Sequence, residues 1–245
     1  MIGRNFYCKA FFLLVTLLLP GLLIGQSRSR RDTIAGIPVN YEESRVGEYS
    51  LPDIFTLNDG RKVKDAETWF KYRRPEILDA FKENQYGYDP GPPENMLFDV
   101  FDKGTRALEG TAIRKQVRVF FTGDTAGPFM DLLIYLPSDT KRPVPLLTSI
   151  NFIPNSTYIE DPGIRRGSMW GRDRKRVPAP EKSRFGSFDP TPYIARGFGV
   201  ACIYYGDIEP DFAEGLPYGI RSAYLTEGQE KPSDNEWGAS ASWAW

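Results

Sequence analysis

The residues best suited to chemistry are four carboxylates in one short loop: Asp207, Glu209, Asp211 and Glu214. Their spacing resembles that of a calcium-binding loop, in which carboxylates supply oxygen ligands. Such a loop needs glycine at its sixth position and a bidentate glutamate at its twelfth, where this chain has Phe212 and Tyr218. The sequence therefore predicts no metal site here. Asp207 is expected to anchor the loop by accepting backbone hydrogen bonds, and its position also makes it a candidate substrate-binding residue.

A basic stretch around Trp170 is the second group of interest. Its basic members are Arg165, Arg166, Arg172, Arg174, Lys175 and Arg176. One interpretation is a solvated insertion loop. The other is a surface that faces an acidic polysaccharide, because guanidinium groups pair with carboxylates and an indole ring can stack on a sugar. The second interpretation makes Trp170 and Arg172 candidate substrate-binding residues.

The sequence offers no activated nucleophile. It contains no histidine, so the serines and cysteines lack the base that most often activates them. Ser240 comes nearest to a G-x-S-x-G pattern, but no strand precedes it, and we expect it to lie inside a helix. Cys202 lies in an apolar run and is expected to be a core side chain. No catalytic residue is therefore predicted among the 245 residues.

The acidic loop follows the most strand-like run in the chain. Residues 198–205 are almost wholly apolar, which is typical of a strand buried on both faces of a parallel sheet. The run ends at Gly206 and Asp207. Binding sites in open α/β sheets lie just beyond the carboxyl ends of such strands, so this loop is the best-placed functional element.

The other predicted elements alternate between helices and strands. A helical region is predicted over residues 65–86, with Asp65 as its N-cap, Pro75 restarting it and Gly87 ending it. Its aromatic and aliphatic side chains are expected to pack into a core. The remaining predictions are strands over 97–102, 113–122, 130–136 and 144–150, the last a buried type, and helices over 189–196 and 237–245.

Length and composition fit an exported globular protein. A chain of 245 residues with 41% apolar content and a net charge of −1 allows a sizeable core and lacks the basic excess of nucleic-acid-binding proteins. Arg4 and Lys9 precede an apolar run that is short for a membrane span and broken at Pro20, which favours a signal peptide over the alternative of an uncleaved membrane anchor. We therefore predict a signal peptide over 1–25, a linker or extended arm over 26–48 and an α/β domain over 49–245. The protein is expected to be periplasmic or secreted, with no stable membrane span after cleavage.

Several long and unusual motifs follow one another along the chain. They are Leu51-Pro52-Asp53, Leu57-Asn58-Asp59-Gly60, the run from Trp69 to Gly87, Pro145 to Phe152, Arg196 to Phe212 and Trp237 to Trp245. In this order they resemble the N-terminal part of bacterial glucuronoyl esterases and their acetylxylan-esterase-like relatives, the α/β-hydrolases of carbohydrate esterase family 15. The resemblance covers residues 49–245.

The resemblance implies an α/β-hydrolase three-layer sandwich, truncated before the nucleophile strand. In that family the nucleophilic serine, the acid and the histidine follow the helix that residues 237–245 resemble, so all three are expected beyond Trp245. The fold places its oxyanion loop after the strand predicted at 144–150, which makes Asn151 and Phe152 candidates for that loop. The implied reaction is serine-dependent cleavage of a carboxylic ester in plant cell-wall xylan, as in 4-O-methyl-glucuronoyl methylesterases, with no metal or organic cofactor.

Two alternatives remain open: an acetylxylan esterase, and a non-catalytic relative that binds carbohydrate. In each case the expected partner is glucuronoxylan or another plant polysaccharide ester, and not a nucleic acid. The chain itself is expected to be incomplete and inactive, because the implied catalytic groups lie outside it.

Overall fold

The computed structural model describes residues 33–184 and 186–245. These residues form two compact units that divide between Asp53 and Ile54. The predicted signal peptide lies outside the described residues, as does the start of the predicted arm. In the first unit, an antiparallel hairpin of β1 (Thr33–Ile34) and β2 (Ile37–Pro38) precedes a helical turn at Glu43–Arg45.

The second unit begins with a helical segment in which α-helical and π-helical turns alternate. Its parts are α1 (Ala66–Thr68), a π-helical turn (Trp69–Arg73), α2 (Arg74–Phe81) and a second π-helical turn (Lys82–Tyr86). Asp65 caps the segment as predicted, because its carboxylate accepts a hydrogen bond from the N–H of Thr68 at 2.7 Å. Pro75 lies in the first turn of α2, where its missing N–H is tolerated after the wider π-helical turn. Gly87 ends the segment at φ 79°, as expected of a glycine stop.

The apolar stripe of this segment is largely exposed. Tyr72, Leu78 and Phe81 are 41%, 40% and 48% exposed, so the prediction that these side chains pack into a core is wrong. Trp69 is half-buried and contacts Phe55, with ring centroids 5.9 Å apart. The buried clusters among the described residues gather around the sheet instead of this stripe.

A five-stranded mixed sheet forms the centre of the second unit. The strands of this unit are β3 (Leu97–Ala107), β4 (Ala112–Phe120), β5 (Phe129–Pro137), β6 (Leu146–Asn151), β7 (Ser168–Trp170), β8 (Arg176–Pro178) and β9 (Gly199–Tyr204). The order in the sheet is β3-β4-β5-β9-β6, while β7 and β8 form a separate hairpin. β9 pairs antiparallel with β5 and parallel with β6. This mixed sheet with helices confirms the predicted α/β class.

β9 is buried along nearly its whole length, as its apolar sequence predicts. Successive side chains of a strand point to opposite faces of the sheet. Val200 and Cys202 accordingly join a buried cluster with Leu133 and Tyr135, whereas Ile203 packs against a second cluster. That second cluster contains Phe121, Ile208, Ile220 and Trp237. The strand therefore lies between two packed layers.

The sequence predicts β6 as a buried strand, but in the structure several of its apolar side chains are exposed. Leu146, Leu147 and Ile150 are 47%, 41% and 40% exposed. The reason is topological: within the described residues β6 is the edge strand of the sheet and pairs only with β9. An edge strand with exposed apolar side chains is a site where further pairing would bury surface.

The unit also contains four short α-helices, α3 (Asn155–Tyr158), α4 (Thr191–Ile194), α5 (Tyr205–Ile208) and α6 (Ala239–Ala244). Short 3-10 helical turns lie at Leu108–Gly110, Leu216–Tyr218 and Ile220–Tyr224. Ser240 lies inside α6, as expected. None of the helices in the described part of the chain has the length and apolar character needed to cross a membrane.

A buried ionic cluster joins β3, β4 and the loop after α3. We call it the inner cluster; its members are Asp102, Arg114, Gln116, Tyr135 and Asp161. Arg114 donates to Asp102 at 2.9 Å and to both carboxylate oxygens of Asp161 at 2.8 Å. Gln116 also donates to Asp102, at 3.1 Å, and Tyr135 donates to Asp161 at 2.6 Å. Burial acts to raise the pKa of Asp102, but hydrogen bonds from Arg114, Thr105 and Gln116 outweigh it and hold that pKa at about 2.

Candidate functional site

Three of the predicted site residues, Asn151, Phe152 and Asp207, lie at the carboxyl ends of the two parallel strands. Asn151 ends β6 and is paired in register with Tyr204, which ends β9. The loops that follow both strands therefore leave the same edge of the sheet. This is the edge where α/β proteins place their binding sites.

The two oxyanion-loop candidates differ in exposure. Asn151 is 4% exposed, and its side-chain oxygen accepts a hydrogen bond from Ser149 at 2.6 Å. Phe152 is 72% exposed, and its ring centroid lies 5.3 Å from that of Tyr205 in the neighbouring loop. Asn151 thus fixes the end of the strand, while Phe152 presents an aromatic surface to solvent at the strand ends.

Asp207 lies in α5, directly after β9, and faces an arginine. Its carboxylate accepts a hydrogen bond from Arg176 at 2.8 Å, and its side chain is 13% exposed. Burial raises the pKa of Asp207 to about 6; Arg176 opposes this shift and the negative charge of Asp131 adds to it. Asp207 therefore titrates closer to neutral pH than an ordinary aspartate.

Two of the other carboxylates in the acidic loop, Glu209 and Glu214, pair with different arginines. Glu209 is fully buried and pairs with Arg221 at 2.8 Å, and Glu214 pairs with Arg174. Residues 33–184 and 186–245 contain no group of three or more His, Cys, Asp or Glu side chains that could hold a metal ion. The calcium-like spacing in the sequence does not bring these carboxylates together.

The β7–β8 hairpin carries Trp170 and Arg176 towards Asp207. The indole N–H of Trp170 and one N–H of Arg176 both donate to the carbonyl oxygen of Gly206, each at 2.8 Å. The guanidinium of Arg176 also lies 4.5 Å from the centre of the Trp170 ring. Phe212 contacts the same ring, with centroids 5.4 Å apart. The half-buried Trp170 thus joins the hairpin to the acidic loop.

Arg172 is an exposed residue in the turn of this hairpin. It does not line the cavity beneath the hairpin, whereas Arg176, four residues later, does. Within the basic stretch, the arginine that reaches Asp207 is Arg176.

A second ion pair lies beside Asp207 and was not predicted from the sequence. Arg118 on β4 and Asp131 on β5 are register partners, and the guanidinium donates to both carboxylate oxygens at 2.8 Å. It also lies 3.8 Å from the centre of the Phe129 ring. We call Arg118, Asp131, Arg176 and Asp207 the strand-end cluster. Arg118 is half-buried on β4, and its pairing with Asp131 depends on the strand register, which the sequence does not specify.

The strand-end cluster borders a cavity of about 460 Å³ beneath the hairpin. Its lining residues are Arg118, Phe129, Asp131, Arg166, Gly167, Ser168, Arg176, Val177, Pro178 and Asp207. A larger cavity, about 600 Å³, borders Asp161 and Asp189 on the amino-terminal side of β9, and no arginine lines it. The smaller cavity combines guanidinium donors with apolar walls, which suits a polar ligand with a negative charge.

Comparisons with known proteins extend over most of the chain. No family model matches the sequence. The chain is 41% identical over 214 residues to carbohydrate esterase MZ0003 of an unknown prokaryotic organism, and the match covers 84% of this chain and 49% of that protein. A glucuronoyl esterase from Solibacter usitatus matches with a TM-score of 0.76 and 37% identity, over 83% of this chain and 53% of that one. A promiscuous CE15 esterase from the marine bacterial metagenome matches with a TM-score of 0.68 and 37% identity, over 84% and 53%.

The chain therefore spans about half the length of the relatives that it matches. These matches confirm the resemblance seen in the sequence motifs, and they agree with the α/β fold. Over that half, the chain is related to the carbohydrate esterases of family 15.

Proposed function

We propose that this chain is part of an exported carboxylic ester hydrolase that acts on a uronic acid ester of plant cell-wall xylan, in the manner of a 4-O-methyl-glucuronoyl methylesterase. The observation that carries the proposal is the 41% identity over 214 residues to a carbohydrate esterase. Two solved relatives described as a glucuronoyl esterase and a CE15 esterase support it. The cavity at the strand ends agrees with a polar, anionic polysaccharide as partner.

The proposed chemistry is acyl transfer through a serine. In such a reaction the serine attacks the ester carbonyl, a histidine moves the protons and an acid orients the histidine. The 245 residues contain no histidine. Ser240 lies within α6, and burial raises the pKa of the Cys202 thiol to about 11, which disfavours the reactive thiolate. We therefore expect the 245-residue chain by itself to leave esters intact.

This chain would contribute residues that bind and position the substrate. The loop at Asn151 and Phe152 would supply backbone donors for the oxyanion, and the hairpin and acidic loop, with Trp170 and Asp207, would face the polysaccharide. Donors aimed at a developing oxyanion are worth about 2.7–4 kcal/mol each in other hydrolases. Pro154 has no N–H, so the donors in this loop must come from its other residues.

The test compares two proteins: the 245-residue chain, and the product of the whole open reading frame that encodes it. Both are assayed with glucuronic acid methyl ester and with acetylated xylan. We expect the product of the whole frame to release methanol from the uronate ester and the 245-residue chain to release nothing. Turnover by the 245-residue chain would refute the proposed placement of the catalytic groups.

The same assay separates the two alternatives. Release of acetate without release of methanol would identify an acetylxylan esterase. Binding of xylan without release of either product by the whole-frame protein would identify a non-catalytic relative, and the esterase proposal would then be wrong.

A further inference from the structure

We propose that the cavity beneath the β7–β8 hairpin is a subsite for the free carboxylate of a uronic acid residue, separate from the ester that is cleaved. The named sugar class rests on the proposed function, whereas the binding of a carboxylate rests on the cavity alone. The cavity lies between the hairpin and the adjoining ends of β4, β5 and β9.

The first support is the number of guanidinium donors that remain unused. An arginine has five N–H groups. Arg118 directs its Nε and Nη2 to Asp131, and within the described part of the chain Arg166 directs only its Nε to a protein acceptor, the carbonyl oxygen of Ala179 at 2.9 Å. Among the described residues, Nη1 of Arg118 and both Nη groups of Arg166 have no protein acceptor. Arg118 and Arg166 both line the same cavity, and guanidinium donors match the paired oxygens of a carboxylate.

The second support is the charge of the lining. Three arginines and two aspartates line the cavity, which leaves one net positive charge. The two aspartates are already engaged, Asp131 by Arg118 and Asp207 by Arg176, each at 2.8 Å. The guanidinium of Arg166 has no carboxylate partner among the described residues, so an incoming anion would fill that position.

The third support is the character of the walls. Phe129, Val177 and Pro178 provide apolar surface beside the charged groups. A sugar ring has apolar C–H faces, and a uronate joins such a ring to a carboxylate. The volume of about 460 Å³ lies in the range of roughly 300–1,000 Å³ that is usual for small-molecule sites. A simple inorganic anion would use the arginines but leave the apolar walls uncovered.

The fourth support is the rigidity of the frame. Arg118 and Asp131 lie on paired central strands. The hairpin is fixed by the bonds from Trp170 and Arg176 to the carbonyl oxygen of Gly206. Groups held on strands and locked by neighbouring bonds are preorganised for binding. An ester is uncharged, so these arginines favour an unesterified uronate over the ester that is cleaved.

The experiment is calorimetric titration of the 245-residue chain with sodium glucuronate, with glucose and with inorganic phosphate. We expect glucuronate to bind, glucose to bind at least about tenfold more weakly, and phosphate to bind more weakly than glucuronate. Each lost charge-assisted hydrogen bond should cost about tenfold in affinity. The Arg166→Met variant should therefore bind glucuronate about tenfold more weakly than the wild type. The matched Arg172→Met variant removes the same charge outside the cavity and should bind glucuronate with the wild-type affinity.

Absence of glucuronate binding to the folded chain would overturn the proposal. Equal binding of glucose or of phosphate would overturn its choice of a uronate, and equal losses in the Arg166→Met and Arg172→Met variants would overturn its location. The whole-frame protein is titrated in parallel, so that the result does not depend on the 245-residue chain being soluble. Ester hydrolysis by that protein without glucuronate binding would refute the subsite and leave the proposed function standing. Glucuronate binding without ester hydrolysis would refute the proposed function and leave the carboxylate subsite standing.

Discussion

Two arginine–aspartate clusters lie along the same sheet. In one of them the pKa of an aspartate is lowered, and in the other the pKa of an aspartate is raised. In the inner cluster, hydrogen bonds outweigh the effect of burial and hold the pKa of Asp102 at about 2. In the strand-end cluster, burial prevails and raises the pKa of Asp207 to about 6. The same pair of residue types therefore stabilises the ionised aspartate in one place and disfavours it in the other.

The difference follows from the number of donors that each carboxylate receives. Asp102 accepts hydrogen bonds from Arg114, Gln116 and Thr105. Asp207 shares Arg176 with the carbonyl oxygen of Gly206, and the nearby negative charge of Asp131 opposes its ionisation. A cluster whose groups are satisfied serves the fold, whereas one with a raised pKa and unused donors beside a cavity is a candidate for binding.

The largest effect is expected from Arg114→Met. This change leaves the carboxylates of Asp102 and Asp161, 9% and 10% exposed, without their shared cation. Removing one partner from a buried ion pair typically costs about 3–5 kcal/mol. Urea unfolding should show a fall of that size in the free energy of unfolding. For Arg118→Met the fall should be only about 1 kcal/mol, because its partner Asp131 is more exposed. Equal losses would remove the distinction between the two clusters.

Asp207→Asn tests the strand-end cluster through pH. The pKa of Asp207 in the folded protein lies above its unfolded value of 3.8, so its stabilising contribution is present below about pH 4 and is lost as pH rises through about 6. Between pH 4 and pH 7 the unfolding free energy of the wild type should therefore fall by about 2 kcal/mol more than that of the variant. Parallel curves for the two proteins would show that Asp207 titrates normally.

An effect of similar size is expected from Tyr135→Phe in the inner cluster. The hydroxyl of Tyr135 donates to Asp161 at 2.6 Å in a buried setting. Losing a hydrogen bond to a charged group costs about 1.5–3 kcal/mol. The matched control is Tyr158→Phe, because Tyr158 stacks on Phe188 and its hydroxyl makes no hydrogen bond among the described residues. If both variants lose the same stability in urea, the hydroxyl of Tyr135 has no special role.

The smallest effect is expected from Arg172→Met. Arg172 is exposed in the hairpin turn, and surface changes of this kind usually alter stability by less than about 0.5 kcal/mol. The variant should match the wild type in urea unfolding and in glucuronate binding. A clear loss of glucuronate binding would show that Arg172 belongs to the site, as the sequence analysis predicted.

The sequence predicted most of the strands because their patterns are local. The alternation of β4 and the apolar run of β9 are each contained within ten residues, and the predicted strands lie within two residues of the observed ones except at the end of β3. The three-residue strands of the β7–β8 hairpin are too short for an alternation to be recognised. Periodicity also shows which face of a helix is apolar but not whether a partner covers it, as the exposed Leu78 and Phe81 illustrate.

The site was predicted only in outline because its contacts are distant in sequence. Asp207 and Trp170 were selected from composition and position, but Arg176 meets Asp207 across 31 residues. Arg118 meets Asp131 only because β4 and β5 pair in one particular register. Local patterns do not specify such a register, so these two arginines and the cavity between them became visible only in the folded chain.

The most direct test of the contrast between the clusters is urea unfolding with and without glucuronate at ten times its Kd. A ligand at that concentration stabilises the folded state by about 1.4 kcal/mol. We predict this gain for the wild type and for Tyr135→Phe, which weakens the inner cluster, and a gain of only about 0.4 kcal/mol for Arg166→Met, because its Kd for glucuronate is expected to be about tenfold higher. The account would be contradicted if Arg166→Met gained as much as the wild type, or if glucuronate stabilised none of the three proteins.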